Sequence, residues 1–108
     1  MTLPFQETKI SDNTFIREFG QDTDSGEFMW HRDFESRIIE SIGDTDWLVQ
    51  LDDELPKKIE GEILIPMGIY HRLIKGTGDL KIKLIKNHSN WVVFLFNLLL
   101  VYNSHYKS

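Results

Sequence analysis

The sequence predicts an all-β chain, a sandwich or a barrel, on three observations. Short runs rich in β-branched and aromatic residues recur, with turn signals about every eight to twelve residues. No long stretch before Asn90 keeps a helical period. Residues 80–86, Leu-Lys-Ile-Lys-Leu-Ile-Lys, alternate strictly enough to put Leu80, Ile82 and Leu84 on one face and Lys81, Lys83 and Ile85 on the other.

The elements follow in order. Residues 1–13 form an arm or edge strand, and residues 13–20, with Thr14, Phe15, Ile16 and Phe19, a first strand. Asp22-Thr23-Asp24-Ser25-Gly26 is a turn, because these side chains bond local backbone and Gly26 tolerates positive φ. A strand then runs over residues 28–42, bent or bulged midway because it exceeds the usual length. Gly43-Asp44-Thr45-Asp46 turns into a strand over 47–51. The acidic turn Asp52-Asp53-Glu54 and Pro56 follow, and residues 57–60 lead through Gly61 into a strand over 62–65. Pro66-Met67-Gly68 bends the chain, residues 70–74 resume it, and Gly76-Thr77-Gly78-Asp79 is a hairpin turn rather than a phosphate loop, since no helix follows.

At 108 residues the chain is one domain with a single modest core. A net charge of −5 argues against sequence-independent nucleic-acid binding, which needs basic charge to release counterions. The absence of cysteine excludes disulfides, thiolate zinc sites and a cysteine nucleophile, and fits a cytoplasmic location. Residues 1–16 hold no apolar signal-peptide core. Residues 91–102, WVVFLFNLLLVY, carry Asn97 as their only polar residue, yet fall short of the roughly 20 apolar residues a spanning helix needs. They read as a buried terminal element, a homodimer contact or a membrane attachment. The truncated apolar run makes a membrane partner the weakest of the three.

Two polar clusters interrupt this apolar patterning. With residues 30–38 extended, His31, Asp33, Glu35 and Arg37 share one face. An imidazole and a carboxylate two residues apart on one face can chelate a cation, and His71, just beyond the Pro66–Gly68 bend, is the candidate third ligand. Two histidines and one carboxylate leave open coordination positions, which suits non-haem iron chemistry. The competing reading is a salt-bridge ladder, with Asp33 or Glu35 paired to Arg37 and His31 solvated.

The spacing Gly61-x4-Pro66-x-Gly68-x2-His71 resembles the second motif of the cupin superfamily. Gly26-x4-His31-x-Asp33, followed by Glu35 and Gly43, resembles the first, and the two stand in the expected order. Tyr70-His71-Arg72 and the stretch 47–52 add to a likeness with small single-domain cupins of bacteria and tailed phages, covering about residues 20–86. The resemblance implies a double-stranded β-helix, or cupin jelly-roll barrel, with a divalent metal (Fe, Mn or Zn) held by His31, Asp33 and His71. Glu35 is then a fourth ligand or base, with Glu40 as the alternative glutamate. Asp33 stands where cupins usually carry a second histidine, so the set is also similar to the facial triad of 2-oxoglutarate-dependent oxygenases.

Arg37, on the ligand face, suits a carboxylate or phosphate, whereas Arg72 points away from His71 along a regular strand. Trp30, Trp47 and Tyr70 line the pocket mouth or else belong to core and cross-strand pairs. Asp52-Asp53-Glu54 lacks calcium-loop spacing, His88 and His105 are exposed, and no serine or threonine sits in a nucleophile turn. The chain therefore reads as a small metal-binding protein, an oxygenase or an isomerase/epimerase acting on a small polar or anionic molecule. The other reading is a non-enzymatic ligand-binding or structural module with a vestigial metal site.

Overall fold

The structure, a computed structural model, describes residues 5–87. The apolar run 91–102, and with it the homodimer expected through it, lies outside the described residues, as do His88 and His105. The strands are β1 (Gln6–Lys9), β2 (Thr14–Phe19), β3 (Ser36–Ser41), β4 (Leu48–Leu51), β5 (Lys57–Lys58), β6 (Glu62–Ile65), β7 (His71–Ile74) and β8 (Leu80–Asn87). A single 3-10 turn, Gly26–Phe28, lies between β2 and β3. No helix among the described residues is long and apolar enough to cross a membrane.

Every pairing is antiparallel. One sheet has the order β1-β2-β8-β3-β6 and the other β5-β4-β7. The core lies between them: Phe19, Ile39, Ile63, Ile65, Leu80, Ile82 and Leu84 come from the larger sheet, and Val49, Leu51 and Leu73 from the smaller. Period-two burial explains the selection, as in β8, where Leu80, Ile82 and Leu84 are buried while Lys81 and Lys83 are exposed. Turning the apolar faces of two twisted antiparallel sheets toward each other is the jelly-roll solution to burying both.

One element departs from the sequence reading. Residues 28–42 are not a single bent strand. The 3-10 turn ends at Phe28, residues 29–35 are irregular, and pairing begins only at Ser36 with β8 and at Arg37 with β6. Ser25 starts the turn, its hydroxyl accepting from the Glu27 backbone N–H at 3.1 Å. Within the irregular segment a lone antiparallel bridge joins His31 to His71. The site is built there.

Candidate metal centre

Two backbone hydrogen bonds fix the centre. The His31 N–H donates to the His71 carbonyl at 3.1 Å, and the His71 N–H donates back to the His31 carbonyl at 2.8 Å. Residues exchanging both bonds across an antiparallel pair stand directly opposite, so their side chains emerge on one face. The imidazole centroids are accordingly 4.3 Å apart. The bend ahead of His71 supplies a further tie: Gly68, at φ +80°, makes the turn that Ile69 closes by donating to the Pro66 carbonyl. Its own N–H donates to the Asp33 carbonyl at 2.9 Å. Segments 29–35 and 66–70 are thus stitched together at Asp33 and at the histidine pair.

Both imidazoles are oriented in the same way. His31 Nδ1 lies 2.8 Å from the Met29 carbonyl, and His71 Nδ1 lies 2.8 Å from the Ile69 carbonyl. A carbonyl only accepts, so Nδ1 carries the proton in each ring and Nε2 keeps its lone pair when the ring is neutral. This tautomer is the one outer-shell partners impose on a metal-ligating histidine.

Carboxylates meet the two Nε2 atoms. Glu27 Oε2 lies 2.8 Å from His31 Nε2, and Asp33 Oδ2 lies 3.1 Å from His71 Nε2. Neither approach is aligned as a hydrogen bond, and His31 Nε2 and Asp33 Oδ2 are buried with no hydrogen-bond partner. Among the described residues Glu27, His31 and His71 form a metal-competent group, with one donor atom from each within 4.8 Å of the others. Donors on one ion at about 2.0–2.2 Å stand up to about 4.4 Å apart, so small side-chain movements close the set.

Two arginines pair with the surrounding carboxylates. Arg17 pairs with Glu7 at 2.8 Å and Glu27 at 3.5 Å, and Arg37 with Glu35 at 2.8 Å and Asp33 at 3.4 Å. Glu7 lies on an exposed strand, so three partly buried carboxylates, Glu27, Asp33 and Glu35, stand against two guanidinium groups, an excess of one negative charge before the histidines are counted. Buried charge needs a counter-charge. Either one protonated imidazole or a cation bound between the imidazoles and the carboxylate would supply it. Two imidazoles held by backbone carbonyls and one carboxylate, with one donor atom of each within 4.8 Å of the others, fit a divalent metal.

Electrostatics within the cluster shift three groups. Burial works to raise the Glu27 carboxyl, but contact with His31 and the charges of Arg17 and Arg37 bring it below its ordinary value. Asp33 is likewise opposed by burial and lowered by His71 and Arg37. Contact with Glu27 raises His31, against its burial.

The candidates read from the sequence are distributed as follows. His31 and His71 converge, and Asp33 lies 3.1 Å from His71, but the third donor atom close to both imidazoles comes from Glu27 rather than Asp33. Glu35 does not join them: its carboxylate accepts two hydrogen bonds from Arg37, from Nε at 2.9 Å and from the terminal amine at 2.8 Å. Arg37 points inward, but those carboxylates already neutralise it, so it is not a free anion anchor. Glu40 sits opposite Glu62 and Lys83 along β3, several residues from the histidines. Trp47 does not line the mouth: it is 0% exposed, its indole N–H donates to the Gly78 carbonyl, and it stacks among Phe19 and Phe28. Tyr70 and Trp30 are on the rim, under Arg32 and Arg72 at 5.4 and 4.8 Å respectively.

Glu27 and Arg17 escaped the sequence reading. Glu27 lies four residues before His31 in what reads as a turn, so strand periodicity gave it no face. Arg17 carried a signal: it alternates with Phe15 and Phe19, which puts it on the inward face of β2.

No family profile matches the chain, and no curated protein does. Solved structures do. A cupin domain from Bordetella pertussis is 13% identical, with a TM-score of 0.53, over 81% of this chain and 98% of that one. A cupin-2 domain protein of Shewanella frigidimarina is 17% identical, TM-score 0.53, over 75% and 76%. A protein of Ralstonia eutropha provisionally assigned as a mannose-6-phosphate isomerase is 13% identical, TM-score 0.57, over 79% and 83%. At such identities the likeness is one of fold: the chain has the cupin jelly-roll fold.

Proposed function

We propose that this chain is a divalent-metal-binding cupin in which His31, His71 and Glu27 hold the metal, with Asp33 against His71, and that it acts on a small polar or anionic molecule at the barrel mouth. The observation that supports this most is the convergence of one donor atom from each of two imidazoles and one carboxylate within 4.8 Å, with both Nδ1 atoms pinned to backbone carbonyls. A bound Fe, Mn or Zn would act as a Lewis acid on an oxygen of the substrate, in an isomerisation, epimerisation or oxygenation. The chain's own groups orient it: Met29 and Ile69 carbonyls fix the imidazoles, Arg17 holds Glu27, and Arg37 holds Asp33. The similarity to a Ralstonia protein provisionally assigned as a sugar-phosphate isomerase agrees with a small anionic substrate.

A second reading, a ligand-binding or structural module, is favoured by one feature. The interior cavity bounded by Arg17, Glu27, Arg37 and His71 has a volume of about 30 Å³. That holds about one water molecule and no sugar. A substrate would therefore have to meet the metal from the rim.

Calorimetric titration of zinc or manganese into metal-stripped full-length protein tests the assignment. One site per chain is expected, weakened far more than the about 10–100-fold of an outer-shell change in His71→Ala and near unchanged in Glu40→Gln. Binding that survives His71→Ala contradicts it.

A further inference from the structure

The inward face of β2 carries a charge. Arg17 alternates with Phe15 and Phe19 along that face, and its side chain is only 8% exposed. A buried guanidinium needs partners. Arg17 Nε donates to Glu7 Oε1 at 2.8 Å, its guanidinium carbon lies 4.4 Å from the centre of the Phe5 ring, and one terminal nitrogen stands 3.5 Å from Glu27 Oε1. Glu7 belongs to the edge strand β1, and Phe5, just ahead of it, packs on Phe19 with ring centres 5.2 Å apart.

Glu27 divides its two oxygens. Oε1 faces Arg17, and Oε2 faces His31 Nε2 at 2.8 Å. A guanidinium is a rigid planar fork, so fixing Arg17 at Nε by Glu7 and across its face by Phe5 decides where its terminal nitrogens point. They meet Oε1 and leave Oε2 turned to the imidazole. Charge-assisted N–H···O bonds run about 2.7–2.9 Å, so Arg17 grips Glu7 and only leans on Glu27.

We propose that Glu7, acting through Arg17, is a positioning residue for Glu27, so that the edge strand β1 sets how strongly the centre holds a divalent ion. This rests on the metal reading of His31, His71 and Glu27. Without the Glu7 carboxylate, the guanidinium keeps Glu27 as its carboxylate partner and closes on it. Oε2 is then drawn away from His31, and the ion faces a guanidinium whose charge Glu7 no longer offsets. Orientation and charge change in the same direction, and both weaken binding.

Zinc titration into metal-stripped full-length protein tests it. Glu7→Gln, an isosteric change on an exposed strand, should weaken zinc by about 10–100-fold, the range of an outer-shell change. Glu18→Gln removes the same charge from an exposed position of β2, where its partner is Lys81, and should stay within about twofold because solvent and salt screen it. In Arg17→Met, adding Glu7→Gln should have no further effect, since Glu7 then has no route to Glu27. Cobalt keeps the test decisive if Arg17→Met fails to fold. At saturating cobalt the visible absorption of Glu7→Gln should differ from wild type as the Glu27 carboxylate turns, a change that looser packing of β1 alone would not produce. Equal zinc affinity in Glu7→Gln and wild type, with binding still lost in His71→Ala, would overturn this inference and leave the metal reading standing. So would a Glu7→Gln effect undiminished in Arg17→Met, or a cobalt spectrum identical to the wild type's. Wild-type protein that takes up no zinc would overturn both.

Discussion

The Nε2 atom of His31 faces the Glu27 carboxylate at 2.8 Å, so a proton and a metal ion compete for one lone pair. Without metal, His31 is raised above its ordinary 6.5, and the stability it contributes is present below 6.5 and lost as pH rises through the raised value. Glu27 and Asp33 are lowered from 4.5 and 3.8, so their contributions are present above those values and lost as pH falls. The metal-free protein should melt highest between 4.5 and 6.5. With saturating zinc the optimum should move above 6.5, because the ion needs both imidazoles neutral. Melting temperature against pH, with chelator and with zinc, checks this, and one shared optimum would contradict it. Of these residues, His31, Asp33 and His71 were legible through their motif-like spacing. Glu27 was not, because its place beside His31 is made by a 3-10 turn that no periodicity announces. Alternation puts Glu35 on the ligand face, and what it does not announce is that Arg37, two residues on, binds the carboxylate.

The elements were legible where the chain alternates and obscure where it does not. β8 and the Trp47-containing run follow period two and appear within a residue of where the pattern puts them. Residues 29–35 read as strand because β-rich composition continues through them, but the His31–His71 bridge and the Gly68–Asp33 bond hold them outside any sheet. Close approach of backbone also decides the turn before β8. A Cβ on Gly76 would stand 2.8 Å from the Trp47 nitrogen and 2.9 Å from the Asp46 carbonyl carbon, backbone atoms that cannot step aside. Asp46 further clamps this turn by accepting from the Thr77 N–H and hydroxyl. Gly76→Ala should therefore cost about 3 kcal/mol, the upper end for overpacking, while Gly26→Ala, whose Cβ meets nothing, should change stability little. Urea denaturation of the two variants decides it; equal midpoints would mean the turn can shift.

For the molecule as a whole, the all-β prediction and the cupin resemblance led to the fold the structure has, because two opposed apolar faces leave few alternatives. What the sequence could not convey is that the barrel interior is charged at one end, with Arg17, Arg37, Glu27 and Asp33 gathered around two histidines. The convergence there of two imidazoles and the Glu27 carboxylate, one donor atom of each within 4.8 Å of the others, is the reason to expect a cation. X-ray absorption spectroscopy of the zinc-loaded full-length protein tests this most directly. Two imidazole nitrogens at about 2.0–2.1 Å and carboxylate oxygen at about 2.0–2.2 Å are predicted, with the imidazole scattering halved in His71→Ala. A zinc shell without imidazole, or a protein that retains no zinc at all, would contradict it.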